Sequence, residues 1–105
     1  MPQHVSVDDL VAARQRGAVV IDVREPEEFA GARVPGAINV PLATMPLSLG
    51  RLAELATDGP LYVVCQVGGR SAQAAEYLTQ YGIESCTVDG GTQDWAAGGQ
   101  PLEHG

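Results

Sequence analysis

The sequence predicts an α/β domain with a mainly parallel sheet and helices on both faces. Short segments of strand-forming residues alternate along the chain with segments whose apolar residues recur at helical spacing. The predicted strands are 18–23, 61–64 and 83–88, with a shorter strand at the end of 34–40. Residues 18–23 form an almost continuous apolar run, which is typical of a strand covered by helices on both faces.

Composition limits the possible functions. The chain of 105 residues has the size of one domain, and its net charge is −7, with six arginines and no lysine. This charge disfavours nucleic acid and anionic membranes as partners. The chain has no apolar run near the roughly 18–20 residues of a membrane span and no signal-peptide pattern. We therefore expect a cytoplasmic protein, in which the two cysteines do not form a disulfide.

The first half of the chain contains two predicted helices. The first begins after Ser6, whose side chain suits an N-cap, and ends at Gly17. The second begins at Pro26, which suits the first helical position, and directs Phe29 toward the core. Residues 41–46, which follow the short strand, are predicted to form a loop.

The second half contains three more predicted helices. Three leucines at helical spacing form a stripe in 49–55. The next helix begins at Ser71 and ends near Gly82. Its predicted buried face comprises Ala74, Ala75, Leu78 and Tyr81. Glycines at 90–91 turn the chain into a last short helix, whose Trp95 is expected to fill the core.

The junction between the third predicted strand and its helix is the candidate site. The apolar run ends at Val64 and is followed by Cys65, a glycine pair and an arginine before the helix begins at Ser71. Such a junction directs backbone N–H groups and the positive end of the helix dipole at the loop. Gly68 and Gly69 permit positive φ and close approach of an anion.

Cys65 is predicted to be a nucleophilic thiolate. A free cysteine has a pKa near 8.5, but a helix N-terminus and a cation such as Arg70 lower it. On burial habits alone, a cysteine at a strand end is more often a packing residue. A packing cysteine needs neither a glycine pair nor an arginine. Cys86 lacks both neighbours, so we expect it to be an inert buried residue.

Asp22 lies at the carboxyl end of the first predicted strand, which is the edge where α/β sheets build their sites. Two interpretations remain open. The carboxylate is either satisfied by the amides of the next loop or supports the active loop. Arg24 is expected to be a structural partner for acidic neighbours rather than a catalytic residue.

Three parts of the chain resemble the motifs of single-domain rhodaneses, the thiosulfate:acceptor sulfurtransferases. The segment CQVGGRS at 65–71 is similar to the family's active-site pattern Cys-x-x-Gly-x-Arg-Ser. The segments 21–29 with 34–41, and 88–91 followed by a tryptophan, agree with the family in the same order. The resemblance covers nearly the whole chain.

The resemblance implies a single rhodanese-like domain over residues 1–105, with a mainly parallel five-stranded sheet. It implies a sulfurtransferase in which Cys65 takes a sulfur atom from thiosulfate as a persulfide and passes it to a thiol or cyanide, or to an acceptor protein. The donor would bind the residues that follow, Gln66, Val67, Gly68, Gly69, Arg70 and Ser71. In this scheme Asp22 supports the loop, and neither a cofactor nor a metal is needed. Arg33 stands where the family usually has His, and we expect it to be a surface or loop-packing residue.

Other functions could also use a cysteine or a metal. A sulfur-relay module loaded by a partner protein needs the same Cys65, so the sequence leaves it open. A phosphatase or arsenate reductase of the same fold is disfavoured because four residues separate Cys65 from Arg70, against five in the tyrosine-phosphatase-like pattern. A Cys–His protease or a metal site is disfavoured because His4 and His104 lie at the chain ends.

Overall fold

The computed structural model describes residues 2–105 and contains one five-stranded parallel sheet. The strand order is β1-β5-β4-β2-β3, with every neighbouring pair parallel. The strands are β1 Gln3–Val5, β2 Val20–Asp22, β3 Ile38–Asn39, β4 Leu61–Val64 and β5 Ser85–Val88. The helices are α1 Val7–Gln15, α2 Pro26–Gly31, α3 Leu49–Leu55, α4 Gly69–Gln80 and α5 Gly91–Ala97, with a 3₁₀ helix at Leu42–Ser48. The predicted fold class is therefore confirmed.

Helices cover both faces of the sheet, because alternate residues of the central strands point to opposite sides. On one face, the 3₁₀ helix, α3 and α4 pack against β2 and β4. The buried apolar residues of that face include Ile21, Met45, Leu52, Leu61, Val63, Ala74 and Leu78. On the other face, α1 and α5 enclose a second cluster of Leu10, Val20, Val34, Val64, Val88 and Trp95.

The predicted helix boundaries are correct where the sequence contains a capping residue or a terminal glycine. Ser6 caps α1, and its hydroxyl accepts the N–H of Asp9 while the Asp9 carboxylate accepts the N–H of Ser6. Helix α4 is followed by a left-handed glycine, Gly82, with φ of +71°. The N–H of Gly82 bonds to Thr79 and that of Ile83 to Leu78, which closes the last turn.

Two elements differ from the sequence prediction. Strand β1 was not predicted, because its three residues are short and partly polar, and it exists through pairing with β5. Residues 41–46 were predicted to be a loop, but most of them lie in the 3₁₀ helix, which is anchored by the buried Met45. Both errors have the same cause, since a short segment takes its conformation from the surface on which it packs.

Three aromatic predictions had different outcomes. Trp95 is fully buried as expected, and its indole N–H donates to the carbonyl of Pro101 at 2.6 Å. Phe29 does not fill the core, because its ring is half-buried and stacks under the guanidinium of Arg33 at 5.1 Å. Tyr81 is 56% exposed, since α4 ends at Gln80 and the chain turns away from the sheet.

Arg33 is a packing residue, as expected. Its guanidinium donates to the carbonyl of Phe29 and lies 3.6 Å from the Glu103 carboxylate, and its backbone forms an isolated bridge with Glu103. It therefore fastens the last residues of the chain to α2. Within residues 2–105, no helix is long and apolar enough to cross a membrane.

Candidate active site

Cys65 follows β4 directly and faces α4. Strand alternation places Leu61, Val63 and Cys65 on the same side of the sheet, so the thiol lies beneath the loop that leads into α4. Its side chain is 1% exposed. The sulfur is therefore enclosed rather than open to solvent, and the loop covers it.

The loop nevertheless surrounds the enclosed sulfur with hydrogen-bonding groups. The backbone N–H of Gly68 donates to Sγ at 3.1 Å, and the Cys65 thiol donates to the hydroxyl oxygen of Ser71 at 3.6 Å. Burial acts to raise the pKa of Cys65. The N–H and hydroxyl of Ser71, with the N–H groups of Gly68 and Val67, outweigh burial and hold that pKa below its usual value.

The first turn of α5 orients the loop. The N–H groups of Thr92, Gln93 and Gly90 donate to three successive loop carbonyls, at 2.9, 3.0 and 3.1 Å. The acceptors are the carbonyls of Cys65, Gln66 and Val67. Within a planar trans peptide the N–H points opposite to the C=O, so the next three N–H groups face away from α5. This arrangement accounts for the N–H groups of Val67 and Gly68 near the sulfur, whereas the N–H of Ser71 comes from the first turn of α4.

Gly91 makes this close approach possible. Its φ is +51°, and a Cβ at this position would overlap the carbonyl oxygen of Cys65 and lie 2.9 Å from that of Gln66. Only a residue without a side chain lets α5 dock so closely on the loop. The sequence shows the glycine pair at 90–91 as a turn signal, but it does not show that the turn supports Cys65.

Helix α4 begins earlier than predicted. Gly69 is its first residue and Gly68 its N-cap, so Ser71 lies inside the first turn and does not cap the helix. Gly68 has φ of +127°, which strongly favours glycine, whereas Gly69 is helical. The expectation of positive φ is therefore correct for Gly68 and wrong for Gly69.

Ser71 connects the sulfur to a buried hydroxyl that the sequence analysis missed. The Oγ atoms of Ser71 and Thr87 are 2.7 Å apart, and both side chains are fully buried. The Ser71 hydroxyl also lies 3.1 Å from the carbonyl oxygen of Gly68. Thr87 belongs to β5, which is adjacent to β4, so strand pairing places it beside the loop. A threonine in a buried strand carries no sequence signal for this role.

Arg70 lies beside the loop, but its guanidinium is engaged. It donates to both carboxylate oxygens of Glu28, at 2.6 and 3.0 Å, across 42 positions of sequence. Both side chains are 35% exposed. The role of Arg70 in holding a donor anion stays a prediction, and any such anion meets an ion pair rather than a lone cation.

Asp22 reaches the loop only through Arg24. The two buried side chains form a bidentate ion pair, with Nη2 of Arg24 at 2.8 Å from the carboxylate. Another guanidinium nitrogen lies 3.3 Å from the side-chain oxygen of Gln66. The amide of Asn39 donates to the carbonyls of Asp22 and Arg24. Arg24 thus has the predicted acidic partner, while support of the loop by Asp22 is indirect.

Cys86 has the surroundings of an inert thiol. It is buried in β5, and its Sγ lies 3.8 Å from the carbonyl oxygen of Leu61. Burial, with the charges of Glu84 and Asp9, raises the pKa of Cys86 to about 11. Both cysteines are free thiols. Cys86 pairs with Tyr62, three residues before Cys65, so about 10 Å of strand separates the cysteines, too far for a disulfide.

A depression of about 450 Å³ lies remote from Cys65. It is lined by residues at the amino-terminal edge of the sheet, including Ala18, Val19, Pro60 and Tyr62. None of its lining residues belongs to the loop 65–71. The polar contacts to sulfur lie in the loop 65–71, so the candidate site is there. Residues 2–105 contain no group of three His, Cys, Asp or Glu side chains suited to a metal ion.

Comparisons with known proteins identify the family of the chain. The model of the rhodanese-like domain family matches residues 6–98. The chain is 42% identical over 84 residues to the uncharacterized protein YqhL of Bacillus subtilis, covering 79% of this chain and 64% of YqhL. It is 34% identical over 94 residues to the thiosulfate sulfurtransferase GlpE of Pseudomonas entomophila, covering 89% of this chain and 84% of that protein. The crystal structure of a rhodanese-related protein from Thermoplasma volcanium superimposes with a TM-score of 0.86 at 32% identity, covering 96% of this chain and 97% of that one.

Proposed function

Because this chain belongs to the family of rhodanese-like domains, we propose that it is a sulfurtransferase in which Cys65 carries a sulfur atom from a donor to an acceptor. The first donor to test is thiosulfate, the substrate in the name of the Pseudomonas entomophila relative. The proposed acceptors are a thiol, on a small molecule or on a protein, and cyanide. The chain spans 64% of the length of YqhL, so the proposal concerns the activity of this domain.

The observation that carries the proposal is the contrast between the two buried cysteines. Cys65 has the N–H of Gly68 at 3.1 Å and a pKa below its usual value, whereas Cys86 faces a carbonyl oxygen and has a pKa of about 11. Burial alone would raise the pKa of both thiols. Donors directed at one sulfur therefore indicate a site that stabilises negative charge on that atom.

The proposed reaction has two steps. The Cys65 thiolate attacks the outer sulfur of thiosulfate, a new sulfur–sulfur bond forms, and the bond within thiosulfate breaks so that its electron pair leaves with sulfite. An acceptor thiolate or cyanide then attacks the outer sulfur of the Cys65 persulfide, and the Cys65 thiolate is regenerated. The donor product leaves before the acceptor reacts, so the kinetics are ping-pong.

The loop residues have defined parts in this proposal. The N–H groups of Val67, Gly68 and Ser71, which lower the pKa of Cys65, also stabilise the persulfide anion. Arg70, at the edge of the loop, contacts the departing anion. Gln66 and Val67 are exposed above the enclosed sulfur, so their side chains control the access of donor and acceptor.

The test is intact-mass analysis after exposure to thiosulfate, together with thiocyanate formation from cyanide. We expect one added sulfur atom, removable by a reductant, in the wild type and in Cys86→Ser. Cys65→Ser should gain none and form no thiocyanate. Addition of sulfur at Cys86, or none in the wild type with any donor, would reject the proposal. Hydrolysis of p-nitrophenyl phosphate as fast as thiosulfate turnover would favour a phosphatase instead.

A further inference from the structure

We propose that Glu28 determines donor specificity by occupying Arg70, so that the site discriminates against dianionic donors such as thiosulfate and favours sulfane donors of lower charge such as alkyl persulfides. This inference rests on the proposed sulfur transfer at Cys65. It concerns which chemical class of donor loads that residue most efficiently. It also gives Glu28, which lies outside the loop, a role in recognising the donor.

The geometry of the pair is that of a strong ionic contact. Two nitrogens of Arg70 each donate to a different carboxylate oxygen of Glu28, at 2.6 and 3.0 Å. This bidentate arrangement uses two of the five donors of a guanidinium and holds its plane in one orientation. Glu28 is itself held in place, because one of its oxygens accepts the N–H of Glu25 at 3.0 Å in the first turn of α2.

The pair is neutral as a unit at every pH at which the protein would work. The hydrogen bond from Arg70 holds the pKa of Glu28 at about 2, so the carboxylate stays ionised. Glu28, in turn, raises the pKa of Arg70. An incoming anion therefore meets a positive charge that is already offset by a negative charge within hydrogen-bonding distance.

The other charges around the loop also disfavour the approach of an anion. Arg24, which contacts the side chain of the loop residue Gln66, is paired with the Asp22 carboxylate at 2.8 Å. Glu25, the N-cap of α2, and Glu27, in its first turn, are exposed on the same helix as Glu28. The chain has a net charge of −7. A dianion approaching Cys65 thus depends on loop N–H groups without help from an unpaired arginine beside them.

An alkyl persulfide brings less negative charge into the site, so it depends less on an unpaired arginine. The Cys65 thiolate attacks its outer sulfur, the sulfur–sulfur bond of the donor breaks, and the electron pair leaves with the alkyl thiolate. The transferred atom and the persulfide formed on Cys65 are the same as with thiosulfate. The two donors differ in the charge that must enter the site, so their relative efficiency reports on the electrostatics of the Glu28–Arg70 pair.

The test compares two donors, thiosulfate and the persulfide of N-acetylcysteine methyl ester, which is neutral as the hydropersulfide and carries one negative charge when ionised, against two on thiosulfate. The quantity measured is the ratio of kcat/KM for thiosulfate to kcat/KM for the persulfide. Glu28→Gln keeps the shape of the side chain and an oxygen for the Glu25 N–H, but it frees the charge of Arg70. We expect the ratio to rise about three- to fivefold, the size of an exposed ion-pair energy.

Two controls separate this effect from general electrostatics. Glu27→Gln makes the same charge change on the same helix without touching Arg70, and it should move the ratio by much less. In an Arg70→Ala background, Glu28→Gln should not raise the ratio. An equal rise in Glu27→Gln, a rise that persists without Arg70, or an unchanged ratio in Glu28→Gln would overturn the inference. Failure of both donors to load Cys65 would instead reject the proposed function itself.

Discussion

The backbone oxygen of Cys65 accepts a hydrogen bond from the backbone N–H of Thr92 at 2.9 Å. This contact fastens the residue after β4 to the first turn of α5. It belongs to a set of three, in which Gln93 and Gly90 hold the carbonyls of Gln66 and Val67. The orientation of the loop N–H groups toward the sulfur therefore depends on a helix that begins 26 residues after Cys65.

The first prediction concerns Gly91. We expect Gly91→Ala to push the loop off α5, because the new Cβ would overlap the carbonyl oxygen of Cys65. Sulfur loading of Cys65 should fall at least tenfold, and the pKa of Cys65 should rise as its N–H donors turn away. The measurements are persulfide formation by intact mass and the pH dependence of alkylation at Cys65.

Gly99→Ala is the control for this substitution. Gly99 also has a positive φ, of +83°, but a Cβ there would meet nothing within 4 Å. Gly99→Ala therefore has the same cost of placing alanine at a positive φ, about 1–3 kcal/mol, but its Cβ overlaps no carbonyl oxygen. If both variants lose activity to the same extent, bracing of the loop by α5 is not the reason.

The second prediction concerns pH. Removing the hydroxyl in Ser71→Ala should raise the pKa of Cys65, because that hydroxyl and the loop N–H groups stabilise the thiolate. The reactive thiolate exists above the pKa, so the rise of activity with pH should move to higher pH. A hydrogen bond to a charged group contributes about 1.5–3 kcal/mol, so alkylation at neutral pH should slow about tenfold or more.

The measurement for Ser71→Ala is the alkylation rate of Cys65 as a function of pH. It is made in a Cys86→Ser background, which removes the second thiol, whose pKa is about 11. Ser48→Ala is the matched control, since the side chain of Ser48 forms no capping hydrogen bond. An unchanged pH profile in Ser71→Ala would show that the hydroxyl does not stabilise the thiolate.

The third prediction separates the two loop glycines. Gly68→Ala forces alanine to a φ of +127°, so the free energy of unfolding should fall by about 1–3 kcal/mol. Gly69→Ala lies in the first turn of α4 with open space around its Cβ, so stability should stay the same or rise by up to about 1 kcal/mol. Urea denaturation of both variants measures the difference. Equal destabilisation would mean that α4 does not begin at Gly69.

The fourth prediction concerns the buried ion pair. Arg24→Ala leaves the Asp22 carboxylate buried without its partner, so we expect the free energy of unfolding to fall by about 3–5 kcal/mol. Glu103→Gln removes the half-exposed partner of Arg33 and should cost less than about 1 kcal/mol. Urea denaturation at neutral pH compares the two. A loss below 1 kcal/mol in Arg24→Ala would show that water reaches the Asp22 carboxylate.

The sequence was sufficient where a structural signal is local. The N-cap of α1, the glycine at the end of α4, strand β4 and the position of Cys65 at a strand end were all predicted correctly, because propensity and periodicity act over a few residues. The start of α4 was placed two residues late. Ser71 has the chemistry of a cap, but its hydroxyl turns inward to Thr87 and Cys65.

By itself, therefore, the sequence determined the parallel α/β fold and the cysteine at the carboxyl edge of its sheet. Only the tertiary structure decided that the sulfur is enclosed, that α5 orients the loop through Gly91, and that Glu28 occupies Arg70. The physical reason is that periodicity records which residues are buried, but not which distant polar groups meet. Those partners are chosen by strand pairing and helix docking, which bring together residues far apart in the chain.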